Sequence, residues 1–203
     1  MPHIKIGRHD RVALFGKTGS GKTTLAKHLL RQSSLPYVVL DGKHTYRETG
    51  VPVHREFRPQ DSFQVVRGDG TEGYDYWDEQ IYRVMQAGGP RIIYVDELVL
   101  VTPPRSILPQ LGRAIKTGRE LGIATWMGSQ RPKEIPSPVF TETEHFFVFR
   151  LKYQADKNKV AEFTTDEMHE YMDALKGKAR KHDCIYYDDE NDRIIDLRMT
   201  RER

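Results

Sequence analysis

The sequence predicts an α/β fold with a mainly parallel central sheet flanked by helices, plus a C-terminal β-hairpin. Three observations lead there. Short apolar runs alternate with segments of helical periodicity between Arg11 and Leu151. The runs are almost continuously apolar, as strands covered on both faces must be. Near the C-terminus two further runs flank a polar turn, the pattern of a hairpin.

Arg11 to Phe15 (RVALF) reads as a short buried strand entering a glycine-rich turn, and Lys22 to Gln32 then carries Leu25, Leu29 and Leu30 at helical spacing. Tyr37 to Leu40 is a second strand, ending at Asp41. Lys43 to Pro59 is polar, rich in His and Arg, and broken by Gly50, Pro52 and Pro59, which predicts a surface excursion. Phe63 to Val66 reads as a weak strand, Tyr74 to Ala87 as a helix stopped by Gly88, Gly89 and Pro90, and Arg91 to Val95 (RIIYV) as a strongly apolar strand. Ser106 to Leu121 is expected to be helical with Gly122 beyond its end, and Ile123 to Met127 and Glu144 to Leu151 are expected strands. Past Tyr153, Ala155 to Phe163 and Thr165 to Leu175 suggest two short helices. A basic stretch follows (Lys176, Lys178, Arg180, Lys181), and Cys184 to Asp188 and Arg193 to Leu197 form the hairpin.

The 203 residues fit one domain, and their composition, 37% hydrophobic and 30% charged, is ordinary for a soluble protein. No apolar run approaches the roughly 18 residues a bilayer crossing needs, so an integral membrane protein is not expected. Met1 to Lys5 lacks the apolar core of a secretion signal, and the one cysteine, Cys184, cannot pair within the chain. Both point to a reducing, cytoplasmic compartment. A net charge of +3 is too mild to indicate a nucleic-acid partner by itself.

Residues Gly16, Lys17, Thr18, Gly19, Ser20, Gly21, Lys22 and Thr23 match G-x-x-x-x-G-K-[ST] in full, between a predicted strand and a predicted helix. The glycines let successive amides wrap a phosphate chain, helped by the helix N-terminus. Lys22 is expected to reach the β- and γ-phosphates of ATP and Thr23 to give its hydroxyl to magnesium, with Thr24 completing the cradle. The apolar run Ile92 to Val95 delivers Asp96 and Glu97 to the end of a strand, where open α/β sheets place their crevice. Asp96 is expected to hold magnesium and Glu97 to deprotonate the attacking water. Gln130, past the Ile123 strand, opens into the same crevice and can touch γ-phosphate and water, as a sensor would.

On these residues the chain resembles the HerA/FtsK superfamily of DNA-pumping ATPases. The matching pieces are GKTGSGKT, the aspartate of VLDGK, IIYVDE, the GRELGI turn, and WMGSQRPKEIPSPVF followed by EHFFVFRL, spanning most of residues 11 to 151. The resemblance implies a RecA-like P-loop domain over residues 1–203, with a motor core at about 11–151 and C-terminal helices and hairpin at about 155–200. It also implies a ring of subunits, a pentamer or hexamer, that couples ATP hydrolysis to movement of double-stranded DNA. Arg119 falls where relatives carry an arginine that enters the neighbour's site; Arg113, Arg131 and Arg150 are weaker candidates. Cellular relatives carry further modules, and a nearly bare motor looks most like the genome-packaging ATPases of icosahedral viruses with internal membranes. That implies a capsid or membrane-vertex partner and a place in the host cytoplasm or on the virion.

The rival readings are a filamentous-phage assembly or DNA-transfer ATPase of the same superfamily, a small-molecule P-loop kinase, and a nucleotide-gated binding module with negligible turnover. A kinase would not need Glu97 as a base for water. A GTPase is disfavoured because Asn158 and Lys159 are followed by Val160 and Ala161, with no aspartate to read guanine. Arg105, Arg113, Lys116 and Arg119 recur at spacings that put several on one helical face, which suits DNA, a neighbouring subunit or solvent. No histidine spacing predicts a zinc site.

Overall fold

The computed structural model describes residues 4–176 and 180–198. Met1 to His3, Lys178 of the basic stretch and the chain beyond residue 198 lie outside the described residues.

The sheet is built around the most apolar strands. β1 (Val12–Phe15), β5 (Arg91–Val95), β6 (Ile123–Ser129) and β7 (His145–Phe149) are buried almost throughout, because helices cover both faces. With β2 (Tyr37–Leu40), β3 (Val53–His54), β4 (Phe63–Val66), β8 (Cys184–Asp188) and β9 (Arg193–Leu197) they make one nine-stranded sheet, in the order β3-β4-β2-β5-β6-β1-β7-β8-β9. Pairing is parallel from β3 to β7 and antiparallel at β7–β8 and β8–β9, so the expected hairpin extends the central sheet.

α2 (Tyr74–Ala87) buries Trp77, Ile81, Val84 and Met85, one stripe at helical spacing, against the face that also holds Ala13, Phe15, Ile93, Val95 and Met127. α3 (Pro109–Thr117) adds Leu111, Ala114 and Ile115 to that face, and the short α4 (Ser137–Thr141) adds Val139 and Phe140. α5 (Gln154–Glu162) and α6 (Met168–Ala174) contribute Val160, Met168 and Met172. α1 (Lys22–Ser33) covers the other face with Leu25, Ala26 and Leu30, meeting Val12, Leu14, Tyr94 and Trp126. Each buried Val, Leu, Ile, Phe or Met side chain among these contributes about 1.5–3 kcal/mol relative to exposure.

Four expectations are corrected. The helix expected from Ser106 begins at Pro109, because proline holds Leu108 extended (φ −62°, ψ 145°) and serves as the first helical residue. It stops at Thr117, and Gly118–Leu121 is a 3₁₀ turn, so only Arg113 and Lys116 of the basic set share a helix, with Arg105 before it and Arg119 after it. The excursion from Lys43 to Pro59 is not all surface: Tyr46 and Phe57 are buried, and Val53–His54 adds a parallel edge strand beside β4. Tyr46 lies against Tyr94, ring centres 6.3 Å apart, a contact across sequence that no local periodicity foretells. Finally, β6 continues past Met127 to Ser129, where it pairs with Phe15.

Candidate active site

The crevice lies at one edge of the sheet. β6 stands between β1 and β5, so the loop after β1, the acids after β5 and Gln130 after β6 emerge side by side. In the loop, Gly16, Gly19 and Gly21 have φ of 156°, 70° and 114°, conformations that side-chain-bearing residues rarely adopt. The loop is anchored at its base, where Gly16 N donates to Ser129 O and Lys17 N to Arg150 O, both at 3.1 Å. Thr24 is exposed in the first turn of α1, whose first amides have no acceptor within the helix.

Lys22 is the electrostatic feature of the site. It is only 6% exposed, and its Nζ donates to the carbonyls of Gly16 at 2.5 Å and Lys17 at 3.4 Å, with no carboxylate in contact among the described residues. Burial pushes the Lys22 ammonium down to about 8, an effect that nearby Glu97 partly opposes. A buried cation held by neutral dipoles beneath a loop of amides is a receptor for a polyanion.

Thr23 and Asp96, both expected at magnesium, are brought together: Thr23 Oγ1 donates to Asp96 Oδ1 at 2.8 Å. That oxygen also accepts from Tyr94 Oη at 2.8 Å, a partner sequence reasoning missed. The signal was present, since residues two apart on a strand share a face. Burial and the adjacent Asp96 push the Tyr94 hydroxyl well above its ordinary range, keeping it a donor. Adjacent hydroxyl and carboxylate oxygens are the hard donors that magnesium takes, so the residues fit that ion.

Glu97 is buried, and four donors converge on its carboxylate. Oε1 accepts from Ser129 Oγ (3.0 Å) and Gln130 N (2.9 Å), and Oε2 from Gln130 Nε2 (2.7 Å) and Lys43 Nζ (2.5 Å). Gln130 in turn takes a hydrogen bond from Thr18 Oγ1, joining it to the glycine-rich loop. Lys43 is the second residue missed. It is presented by Asp41, which is fully buried and accepts from Thr45 N, Tyr46 N and Arg67. Gly42 makes the close approach possible, because a Cβ there would lie 2.9 Å from Leu100 Cβ.

Arg119 stands apart. It pairs with Glu144, and with Asp10 at 3.9 Å, residues that precede β7 and β1. Those strands are parallel, so Arg119 is at the opposite edge of the sheet from the phosphate loop and does not serve its own chain's site. Arg131 contacts Asp156 at 3.2 Å and lies over the Tyr153 ring. Arg180 is tied to Asp183 and Asp196, and Lys176 to Asp173, while Lys181 is exposed.

Residues 12–153, which contain every crevice group described above, match the ATPase family associated with various cellular activities (AAA). The chain belongs to this AAA ATPase family. Within it, the chain is 27% identical over 189 residues to the DNA packaging ATPase P9 of Enterobacteria phage PRD1, covering 88% of this chain and 82% of that one. It is 23% identical over 140 residues to Protein P9 of Pseudoalteromonas phage PM2, covering 65% of this chain and 64% of that one. The fold is similar to the genome packaging NTPase B204 of Sulfolobus turreted icosahedral virus 2, solved in complex with ATP-gammaS. The TM-score is 0.76 at 18% identity, covering 95% of this chain and 98% of B204.

Proposed function

We propose that this AAA ATPase is a DNA translocase of the HerA/FtsK type that uses ATP hydrolysis to move double-stranded DNA into a viral capsid. The observation that carries the proposal is the alignment with a DNA packaging ATPase across most of both chains, supported by the grouping of Thr23 with Asp96 and of Glu97 with Gln130 in one crevice. It favours packaging over phage assembly, DNA transfer or metabolite phosphorylation. In this reading the 203 residues act as one P-loop domain, identical subunits form a ring of five or six, and the ring docks on a capsid or membrane-vertex protein. No described helix is long and apolar enough to cross a membrane, so attachment at a vertex would be peripheral or through a partner.

The side chains divide the chemistry. Lys22 and the loop amides bind the phosphates, and Thr23 and Asp96 would hold magnesium, which neutralises charge across the phosphates. Gln130 aligns the γ-phosphate with Glu97. Both Glu97 oxygens accept two hydrogen bonds each, so one partner has to leave before the carboxylate can take a proton from water. Lys43 is the partner best able to move, being long, flexible and 24% exposed at its side chain. Lys43→Met is therefore expected to raise basal ATP turnover about ten- to a hundredfold, equivalent to one charge-assisted hydrogen bond. Steady-state phosphate release checks this, and an unchanged or reduced rate would remove Lys43 as a latch.

Arg119 acts in trans in this scheme. It is half exposed and its acidic partners are partly exposed, so the ion pair is weak enough to exchange for a neighbour's phosphate. An arginine there adds charge stabilisation that one lysine and magnesium leave incomplete.

The translocase assignment is tested by DNA binding. A motor that passes a whole genome grips backbone rather than base edges. Unrelated duplexes should bind within about twofold of one another, and affinity should fall about a hundredfold or more between about 50 and 200 mM salt. A strong preference for one sequence, or affinity indifferent to salt, would count against translocation.

A further inference from the structure

Glu97 and Gln130 engage only one end of a nucleotide. They follow β5 and β6, so the γ-phosphate must face that side of the phosphate loop, and the strand order leaves the β7–β8 side for the rest of the molecule. β8 is antiparallel to β7, and its first residue, Cys184, pairs with Phe149, the last of β7. The segment leading into β8 therefore reaches the same edge of the sheet as the phosphate loop, two strand spacings or about 10 Å from β1.

His182 sits in that segment. Its Nδ1 lies 3.3 Å from the carbonyl oxygen of Ser20, and 3.7 Å from where a Cβ on Gly21 would be. A carbonyl only accepts, so Nδ1 is the donor of this hydrogen bond, and in the tautomer with its proton on Nδ1 the other nitrogen, Nε2, is an acceptor. Among the described residues nothing hydrogen-bonds to Nε2. The ring is half buried and held in place from behind: Arg180 pairs with Asp183 at 2.9 Å and with Asp196 of β9, fixing the lead-in to the hairpin. Phe149 supplies an apolar surface next to it, its ring 3.2 Å from the same Gly21 position.

We propose that His182 forms the ribose side of the nucleotide site, with Nε2 accepting a hydrogen bond from a ribose hydroxyl of the bound nucleoside triphosphate. The proposal rests on the phosphate-loop site described above and adds the wall that tells a nucleotide from a bare polyphosphate. The C-terminal hairpin is thereby coupled to occupancy of the site.

Inorganic tripolyphosphate, which has no ribose or base, separates the two halves. Binding of magnesium–ATP and magnesium–tripolyphosphate is measured by calorimetry on the full chain. His182→Ala should weaken ATP about five- to tenfold, the effect of one hydrogen bond, and leave tripolyphosphate within about twofold. His182→Phe, which keeps the ring's bulk against Gly21 without either nitrogen, should behave like the alanine variant. His182→Gln, whose amide can donate to Ser20 and accept from a hydroxyl, should retain ATP affinity. Retained tripolyphosphate binding also reports an intact fold. Equal weakening of both ligands would make His182 a support for the loop and overturn the proposal, as would unchanged ATP affinity in both the alanine and phenylalanine variants. If the parent chain binds neither ligand, the phosphate-loop assignment itself fails, an outcome distinct from a failure confined to His182.

Discussion

Glu97→Gln is expected to bind ATP about as tightly as the parent chain and to hydrolyse it about 10²- to 10⁴-fold more slowly. The amide has the shape of the carboxylate but cannot take a proton from water. The substitution also turns one of two acceptors into a donor, and that donor must face Lys43, Ser129 or a Gln130 nitrogen, which currently give their protons to Glu97. Loss of the base and loosening of the sensor thus act in the same direction. Single-turnover hydrolysis with a parallel binding isotherm separates them from weak binding. Normal turnover by Glu97→Gln would remove it as the base. The same variant reports on the subunit interface. Mixed with Arg119→Ala, it brings an intact arginine next to an intact site, and the mixture should recover activity that neither variant has alone. Confirmed assembly with no recovery at any ratio would assign the trans role to another residue.

The elements that local pattern specifies are the ones the sequence revealed. β2, β4, β5, α2 and both hairpin strands have the residue limits their apolar runs and flanking glycines and prolines suggest. The phosphate loop was legible for a related reason: its chemistry needs a fixed spacing within eight consecutive residues, so the local sequence contains nearly all of it. Asp96 and Glu97 were legible from the strand that delivers them. Lys43 was not, because it acts through a contact between the segments that follow β2 and β5, whereas Tyr94 was missed although its spacing from Asp96 along β5 carried the signal. Asp41 carried the hint. A buried aspartate that organises the next turn positions whatever follows, and the residue two places on is a lysine beside the hydrolytic strand. His182 lay furthest from view. Its place depends on β8 running antiparallel, which brings residue 182 back to residue 20. Arg119 shows the converse case, where a motif position fixes a residue in sequence yet the fold sets it against Glu144 at the far edge, so its proposed role needs a second subunit.

Lys22→Ala is expected to weaken ATP binding about a hundredfold or more, since a buried ammonium gives charge-assisted hydrogen bonds to the phosphates that water does not replace. The parent chain should also show a pH dependence that the variant lacks. In the free protein burial pushes the Lys22 ammonium down to about 8, and its hydrogen bonds among the described residues go to neutral carbonyls. Bound phosphates favour the charged form and raise that value. Below about 8 the ammonium is already protonated and affinity is flat. Above it, binding must take up a proton, so affinity falls by up to about tenfold per pH unit until the raised value of the complex is reached. Folding is linked with the opposite consequence. The folded value is below the unfolded 10.5, so the folded chain releases the proton first, and Lys22 is most costly to stability below about 8 and progressively less so up to 10.5. Lys22→Met, which keeps the stem and drops the charge, should then melt higher than the parent at pH 7 while failing to bind ATP, as expected where a site is organised for a ligand at the expense of the free fold. Calorimetry in two buffers of different ionisation enthalpy measures the proton uptake directly. Parent affinity that stays constant from pH 7 to pH 10 would mean that Lys22 keeps its charge throughout, and that the carbonyls of Gly16 and Lys17 compensate burial more fully than their geometry implies.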